Sequence, residues 1–397
     1  MPSAQPDIFT PFALGGGTIE LKHRIILAPL TRNRATKSET IERTWYPNDL
    51  MAQYYGERAT DGGLLITEAT PVSLVASGMM GVPGLFTDEQ VEGWKKITSA
   101  VHAKGGLIFC QLWHQGRNAH SSASGIQPVS SSNIPITDAP HSWRGLATEP
   151  FEVPHALTVE EIASTQEDFV KAAVNARKAG FDGVEIHAAN GYLFDQFQHD
   201  NINVRTDSYG GSIANRNRFT LETVDKITAA IGADRFGVRL APFGLFNQAR
   251  GSQREEQWTE LCAELNRRRL AYIHLIEPRF DELKSESEKM ASLGETNSMD
   301  SLKISLQPYR EVCLETPVIA AGGYNATNVN ERLGVDHDLV AIGRYFCSNA
   351  DLVDRLRTGK KLFHYNRSRF YGPFDDNEIG YTVHPEQLEQ TEEKVAV

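Results

Sequence analysis

Eight short apolar runs, each of strand length, recur along the chain: Ile25–Leu30, Gly63–Thr67, Leu107–Leu112, Gly183–Ile186, Gly237–Leu240, Tyr272–Ile276, Val318–Ala321 and Leu339–Ile342. Amphipathic segments of helical length separate most of them, and that alternation predicts a parallel sheet. Two intervening helices declare their starts at capping-box spacing, Thr87 with Gln90 and Thr158 with Glu161. Glycines close them, Gly105-Gly106 after a face of Val91, Trp94, Ile97 and Val101, and Gly180 just before the fourth run. An open doubly wound sheet gives similar alternation. The count of eight, and the long irregular stretches after the third and sixth runs, favour a (β/α)8 TIM barrel, an α/β fold with loop insertions on its C-terminal face. The expected organisation is a single domain over 1–397, with insertions at about 117–154 and 278–300 and a C-terminal tail at about 381–397.

Bulk properties exclude several function classes. A formal net charge of -11 opposes binding to nucleic acid or to anionic membrane surfaces. The four cysteines, Cys110, Cys262, Cys313 and Cys347, are widely spaced and form neither a C-x-x-C pair nor a disulfide framework. Met1 to Leu14 lacks the pattern of a secretory signal, no apolar stretch reaches membrane-spanning length, and the C-terminal Lys-Val-Ala-Val matches no targeting address. A cytoplasmic protein is expected. Gly15-Gly16-Gly17 reads as a hairpin turn, because it lacks the strand–G-x-G-x-x-G–helix context of a dinucleotide site.

The fourth run leads directly into His187-Ala188-Ala189-Asn190-Gly191-Tyr192. His187 and Asn190 stand three apart, so in a turn both can aim an N–H at one oxygen, and Tyr192 brings a phenol beside them. Two neutral donors and a hydroxyl acid suit a reaction in which a carbonyl oxygen gains negative charge while a carbon takes up a proton. From spacing alone a plainer alternative stays open: His187 caps a strand, Asn190 makes a turn and Tyr192 packs.

The longer context is more specific. His187 to Phe197, followed by Asn203-Val204-Arg205-Thr206-Asp207-Ser208-Tyr209-Gly210-Gly211-Ser212 and Asn215-Arg216-x-Arg218-Phe219, resembles the Old Yellow Enzyme family, in its fungal and yeast-like form with a His/Asn donor pair. The resemblance runs from Ala28-Pro29-Leu30-Thr31-Arg32 through Thr67-Glu68-Ala69-Thr70, Gln111-Leu112-Trp113 and Gly322-Gly323 to Phe370-Tyr371-Gly372. It implies one FMN and NADPH or NADH as reductant. The FMN phosphate would lie among Gly322, Gly323, Gly343 and Arg344, and the flavin ring would meet Thr31, the Ala69 backbone, Gln111 and Arg239. It further implies that His187 and Asn190 bind the nicotinamide amide and then the substrate oxygen, that Tyr192 is the proton donor, and that Trp113, Phe370 and Tyr371 shape the substrate pocket. The implied activity is reduction of activated C=C bonds in small-molecule α,β-unsaturated aldehydes, ketones and nitroalkenes.

Other readings compete with this one: an FMN-dependent isomerase or cyclising reductase of the fungal alkaloid type, a non-redox barrel such as a metal-dependent aldolase, and a flavin-binding sensor without turnover. Retention of Tyr192 argues against the forms that lose the proton donor. No metal is expected, because His114 and His120 lack cysteine or carboxylate partners at ligand spacing. Cys110 should face away from the flavin and pack. The resemblance has two departures: Met79 stands where relatives often carry tyrosine, and Arg267-Arg268-Arg269 replaces a helix-ending glycine, which puts that turn in doubt while reading as a solvated face. A homo-oligomer is compatible with the sequence.

Overall fold

The computed structural model describes residues 6–137, 149–281, 284–296 and 304–385. Parts of both expected insertions (138–148, 282–283 and 297–300) and the tail from 386 onward therefore lie outside the described residues.

All eight apolar runs form strands: β1 (Ile25–Leu27), β2 (Leu64–Ile66), β3 (Leu107–Trp113), β4 (Gly183–Ala188), β5 (Phe236–Leu240), β6 (Tyr272–Ile276), β7 (Val318–Ala321) and β8 (Leu339–Ile342). Each pairs in parallel with the next, and β8 pairs with β1, so the sheet closes into the barrel. Around it pack α1 (Asp49–Arg58), α2 (Asp88–His102), α3 (Val159–Lys178), α4 (Ile213–Ile231), α5 (Arg254–Arg267), α6 (Gln307–Val312) and α7 (Leu352–Thr358). The connection from β7 to β8 is built of turns instead of a helix.

Local chemistry explains these boundaries. Both capping boxes form: the Thr87 and Thr158 hydroxyls each accept the N–H of the third helical residue, and each threonine's own backbone N–H donates in return to the side chain of Gln90 or Glu161. Gly105 and Gly180 end their helices at φ +72° and +89°. Arg269 adopts φ +49° where a glycine would be free of strain, so the turn before β6 persists. Its neighbours are anchored on the surface, Arg268 on Asp225 and Glu264, and Arg269 itself on Glu315.

Strand alternation divides the apolar residues into two layers. Outward residues such as Ile108, Cys110, Val184, Ile186, Val238 and Leu275 meet the helices. Inward residues Ile26, Leu64, Ile66, Phe109, Tyr272 and Ile319 fill the barrel. A hairpin of Phe12–Leu14 against Ile19–Leu21, turning through Gly15–Gly17, joins the inner layer through Leu14, Ile19 and Leu21.

Two glycines make room for the inner aromatic pair, Phe109 and Tyr272, whose ring centroids lie 5.6 Å apart. A Cβ at Gly183 would come 2.4 Å from the Phe109 ring, and one at Gly237 would come 2.3 Å from the Tyr272 ring. Both rings are fully buried and cannot swing away into solvent. Gly237→Ala should therefore overpack the barrel and destabilise it by about 1–3 kcal/mol. Urea unfolding of parent and variant checks this, and an unchanged midpoint would refute it.

Candidate active site

At the C-terminal end of the barrel the inward positions change from apolar to polar. Gln111 on β3, His187 on β4 and Arg239 on β5 all face a cavity of about 450 Å³ that Ala28, Ile276, Ala321 and Ala341 line with small or apolar groups. The strand register sets His187 beside Arg239, and Gln111 beside Glu185.

His187 lies in the last turn of strand before a tight loop. Asn190 takes φ +60° in that loop, and its carbonyl accepts from Asn247 Nδ2 at 2.8 Å. Gly191 N–H donates to Asp195 Oδ2 at 2.7 Å, pinning the loop to the short helix Leu193–Gln198, of which Tyr192 is the N-cap. His187, Asn190 and Tyr192 thereby line one side of the cavity. The Tyr192 ring stands edge-on to the His187 imidazole at 4.8 Å and to Trp113 at 4.9 Å. Burial above all, then the nearby Arg239 and His274, hold the His187 imidazole well below the ordinary histidine range, so it is neutral at physiological pH. Its Nδ1 is buried with no hydrogen-bond partner among the described residues.

Beneath these groups lies a fully buried carboxylate. Glu185 Oε1 accepts from Gln111 Nε2 at 2.7 Å, and Glu185 Oε2 is 2.9 Å from His274 Nδ1. Burial and then Glu185 keep the neighbouring Tyr272 phenol protonated.

The opposite end of the cavity is made of backbone. Gly322 and Gly323, after β7, have φ +126° and +72°. A Cβ on Gly322 would fall 2.7 Å from Phe280 Cβ, so a side chain cannot occupy this cradle. Gly343 and Arg344, after β8, face it, and the Arg344 guanidinium lies over the Phe280 ring at 4.8 Å while donating to the Asp281 carbonyl at 2.8 Å. Four arginines, Arg32, Arg239, Arg344 and Arg367, and no carboxylate line the cavity among the described residues. In a chain of net charge -11 this is a local positive field suited to anionic ligands.

The last wall comes from the C-terminal segment. Arg32 donates to the carbonyls of Phe370 and Gly380, Arg34 to that of Arg369, and Arg58 to that of Tyr381. Tyr381 stacks on Tyr54 at 4.0 Å. Phe370 and Tyr371 are thus carried to the cavity edge.

Thr31, Gln111, Arg239, the three glycines and Arg344 all border this one cavity, as do His187, Asn190, Tyr192, Phe370 and Tyr371. Ala69 and Trp113 do not. They lie one layer back, packed with Met79, Val82 and Tyr192. Met79 itself reaches the lining. Sequence reasoning passed over Glu185 and His274, although each sits two positions from an inward residue on its own strand, and it also passed over Phe280, Tyr324 and Arg367, which loops bring in.

The residues present fit FMN. A planar ring can lie on Ala28, Ile276, Ala321 and Ala341 between polar groups, and a phosphate can approach the glycine cradle and Arg344.

Comparison with known proteins agrees with this geometry. Residues 7–362 match the profile of the NADH:flavin oxidoreductase / NADH oxidase family. Flavin oxidoreductase hxnT of Emericella nidulans is 46% identical over 386 residues, 95% of this chain and 97% of that protein. An old yellow enzyme homologue from Zymomonas mobilis superposes with a TM-score of 0.84 at 36% identity, covering 96% of this chain and 99% of the other. Morphinone reductase in complex with tetrahydroNAD superposes with a TM-score of 0.80 at 39% identity, covering 96% and 97%. The chain belongs to the NADH:flavin oxidoreductase / NADH oxidase family and is a flavin-dependent oxidoreductase of the Old Yellow Enzyme type.

Proposed function

We propose that this enzyme, acting as one FMN-binding unit, uses NADPH or NADH to reduce the C=C bond of activated alkenes, namely α,β-unsaturated aldehydes, ketones and nitroalkenes. The observation that carries this reading is the meeting, in one cavity, of a neutral buried imidazole, the Asn190 amide and the Tyr192 phenol, facing Gln111 and Arg239. FMN, when bound, supplies a carrier that takes hydride from the nicotinamide and gives it to the alkene β-carbon.

The chain's own residues perform the rest. Gly322, Gly323, Gly343 and Arg344 would hold the phosphate, and Thr31, the Ala69 backbone, Gln111 and Arg239 the ring, with Arg239 offsetting negative charge near the pyrimidine edge. Ala69 is the weakest of these, because it stands behind the lining. His187 and Asn190 hold the substrate oxygen through two N–H donors and stabilise the negative charge that develops there. A neutral imidazole does this with the same donor capacity throughout the range near neutrality. Tyr192 gives its phenolic proton to the α-carbon, and Trp113 packs edge-on behind the ring to fix its direction. Phe370, Tyr371 and Met79 shape the wall against which the alkene lies.

The alkaloid-type isomerase has no comparable support, since Tyr192 is kept at the cavity and two of the relatives described are an oxidoreductase and a reductase by name. The cytoplasm is the compartment that suits four buried, free cysteines. Among the described residues no helix is long and apolar enough to cross a membrane.

Acid release from the purified protein should yield FMN, and Arg344→Ala should weaken its retention by about 1.5–3 kcal/mol, the scale of a charge-assisted hydrogen bond. Recovery of FAD, or unchanged affinity in the variant, would remove the phosphate assignment.

Tyr192→Phe separates the half-reactions, because it removes one hydroxyl and keeps the ring packed on His187 and Trp113. In anaerobic stopped-flow, bleaching by NADPH should stay near the parent rate. Recovery with cyclohexenone should slow by about 10²–10⁴-fold, the usual contribution of a positioned general acid. Recovery at the parent rate would mean that Tyr192 is not the acid.

A further inference from the structure

The buried carboxylate under the cavity takes no part in the chemistry above. Glu185 is wholly shielded from solvent, and both of its oxygens are engaged, one by Gln111 Nε2 at 2.7 Å and the other by His274 Nδ1 at 2.9 Å. It reaches His274 across β5, on which Gly237 is the strand partner of both Glu185 and Tyr272. Burying a charge in this way is costly unless each oxygen is matched, so the arrangement constrains its partners strongly.

We infer that Glu185 is a positioning residue for the flavin. By accepting from Nε2, it turns the Gln111 carboxamide so that Oε1 is left for the cavity, as an acceptor for the imide N–H of the flavin pyrimidine. This rests on the FMN reading given above. A carboxylate has no proton to give, so only the amino end of the Gln111 amide can face it. No hydrogen bond to Gln111 Oε1 occurs among the described residues, and Gln111 lines the cavity. A flavin pyrimidine presents one N–H between two carbonyls. With the amide reversed, N–H would oppose N–H and two buried groups would lose their partners. The negative charge itself lies next to the site, so it also disfavours the anionic, reduced form of the ring.

The test is flavin exchange in the purified holoenzyme, with FMN and 3-methyl-FMN competing at known ratios and the bound flavin identified after acid release. The methylated flavin lacks the imide proton. The parent should prefer FMN at least about tenfold. Glu185→Gln is isosteric but lets the Gln111 amide turn either way, and Glu185→Leu removes both acceptor oxygens. In whichever variant folds, the preference should fall below about threefold. In a Gln111→Ala background, Glu185→Gln should not change the imide preference further. At a fixed potential, the ratio of reduced to oxidised flavin in Glu185→Gln should rise at least about threefold, as expected when a nearby negative charge is lost. A purely packing role for Glu185 would not change either the imide preference or this ratio.

A parent from which acid releases no FMN would refute the FMN reading, and this inference with it. A parent that binds both flavins equally well would overturn the inference alone. So would a folded Glu185 variant that keeps the parent's preference, or an effect of Glu185→Gln on that preference that persists in the Gln111→Ala background.

Discussion

A closed sheet of parallel strands leaves little freedom about which residues meet inside it, because every second side chain on each of eight strands must point to one shared axis. Here the same inward file runs from Phe109 to Gln111 on β3, from Gly183 through Glu185 to His187 on β4, from Gly237 to Arg239 on β5, and from Tyr272 to His274 on β6. The lower part of that file is apolar and sealed by the N-terminal hairpin. The upper part is polar and buried, where a charge is tolerated only if it is matched. Glu185 is matched by Gln111 and His274. A shift of one residue in any of these strands would turn the polar groups into the helical layer and put Cys110, Ile186 or Val238 into the site.

The second constraint joins the two ends of the chain. Arg32, Arg34 and Arg58 come from the first βα units, and their guanidinium groups end on backbone carbonyls of the segment around Phe370 to Tyr381. Arg32 and Arg58 are almost fully buried, and the Tyr54 ring lies under Arg58 at 3.6 Å. A guanidinium fits this role because its donors are fixed in a plane and can satisfy several carbonyls at once. Functionally, the barrel thereby borrows a wall from residues that no strand carries.

Electrostatics then distinguishes two kinds of donor in one cavity. Arg239 and Arg344 are permanent cations, suited to charge that is present throughout or that persists after reduction. His187 is kept neutral by its surroundings and offers a hydrogen bond without a full charge. The separation suits an enzyme whose cofactor is anionic while its substrate oxygen becomes negative only in the transition state.

The strand–helix alternation, the two capping boxes and the hairpin at Gly15–Gly17 were legible in the amino-acid sequence because each depends on neighbours a few residues away. The family was legible because the motif from His187 to Phe219 is long and ordered. The turn at Arg269 was misgauged as a loss of the left-handed position, since the chain tolerates an arginine there at local strain. What only the tertiary structure decided is which motif residues share the cavity. It set Ala69 and Trp113 behind Tyr192, brought Phe280, Tyr324 and Arg367 to the lining from distant loops, and placed Glu185 between Gln111 and His274. The physical reason is that these relations run across strands and between chain ends. Spacing along the sequence encodes the direction of a side chain within its own element, whereas its partner is chosen by the register and closure of the barrel.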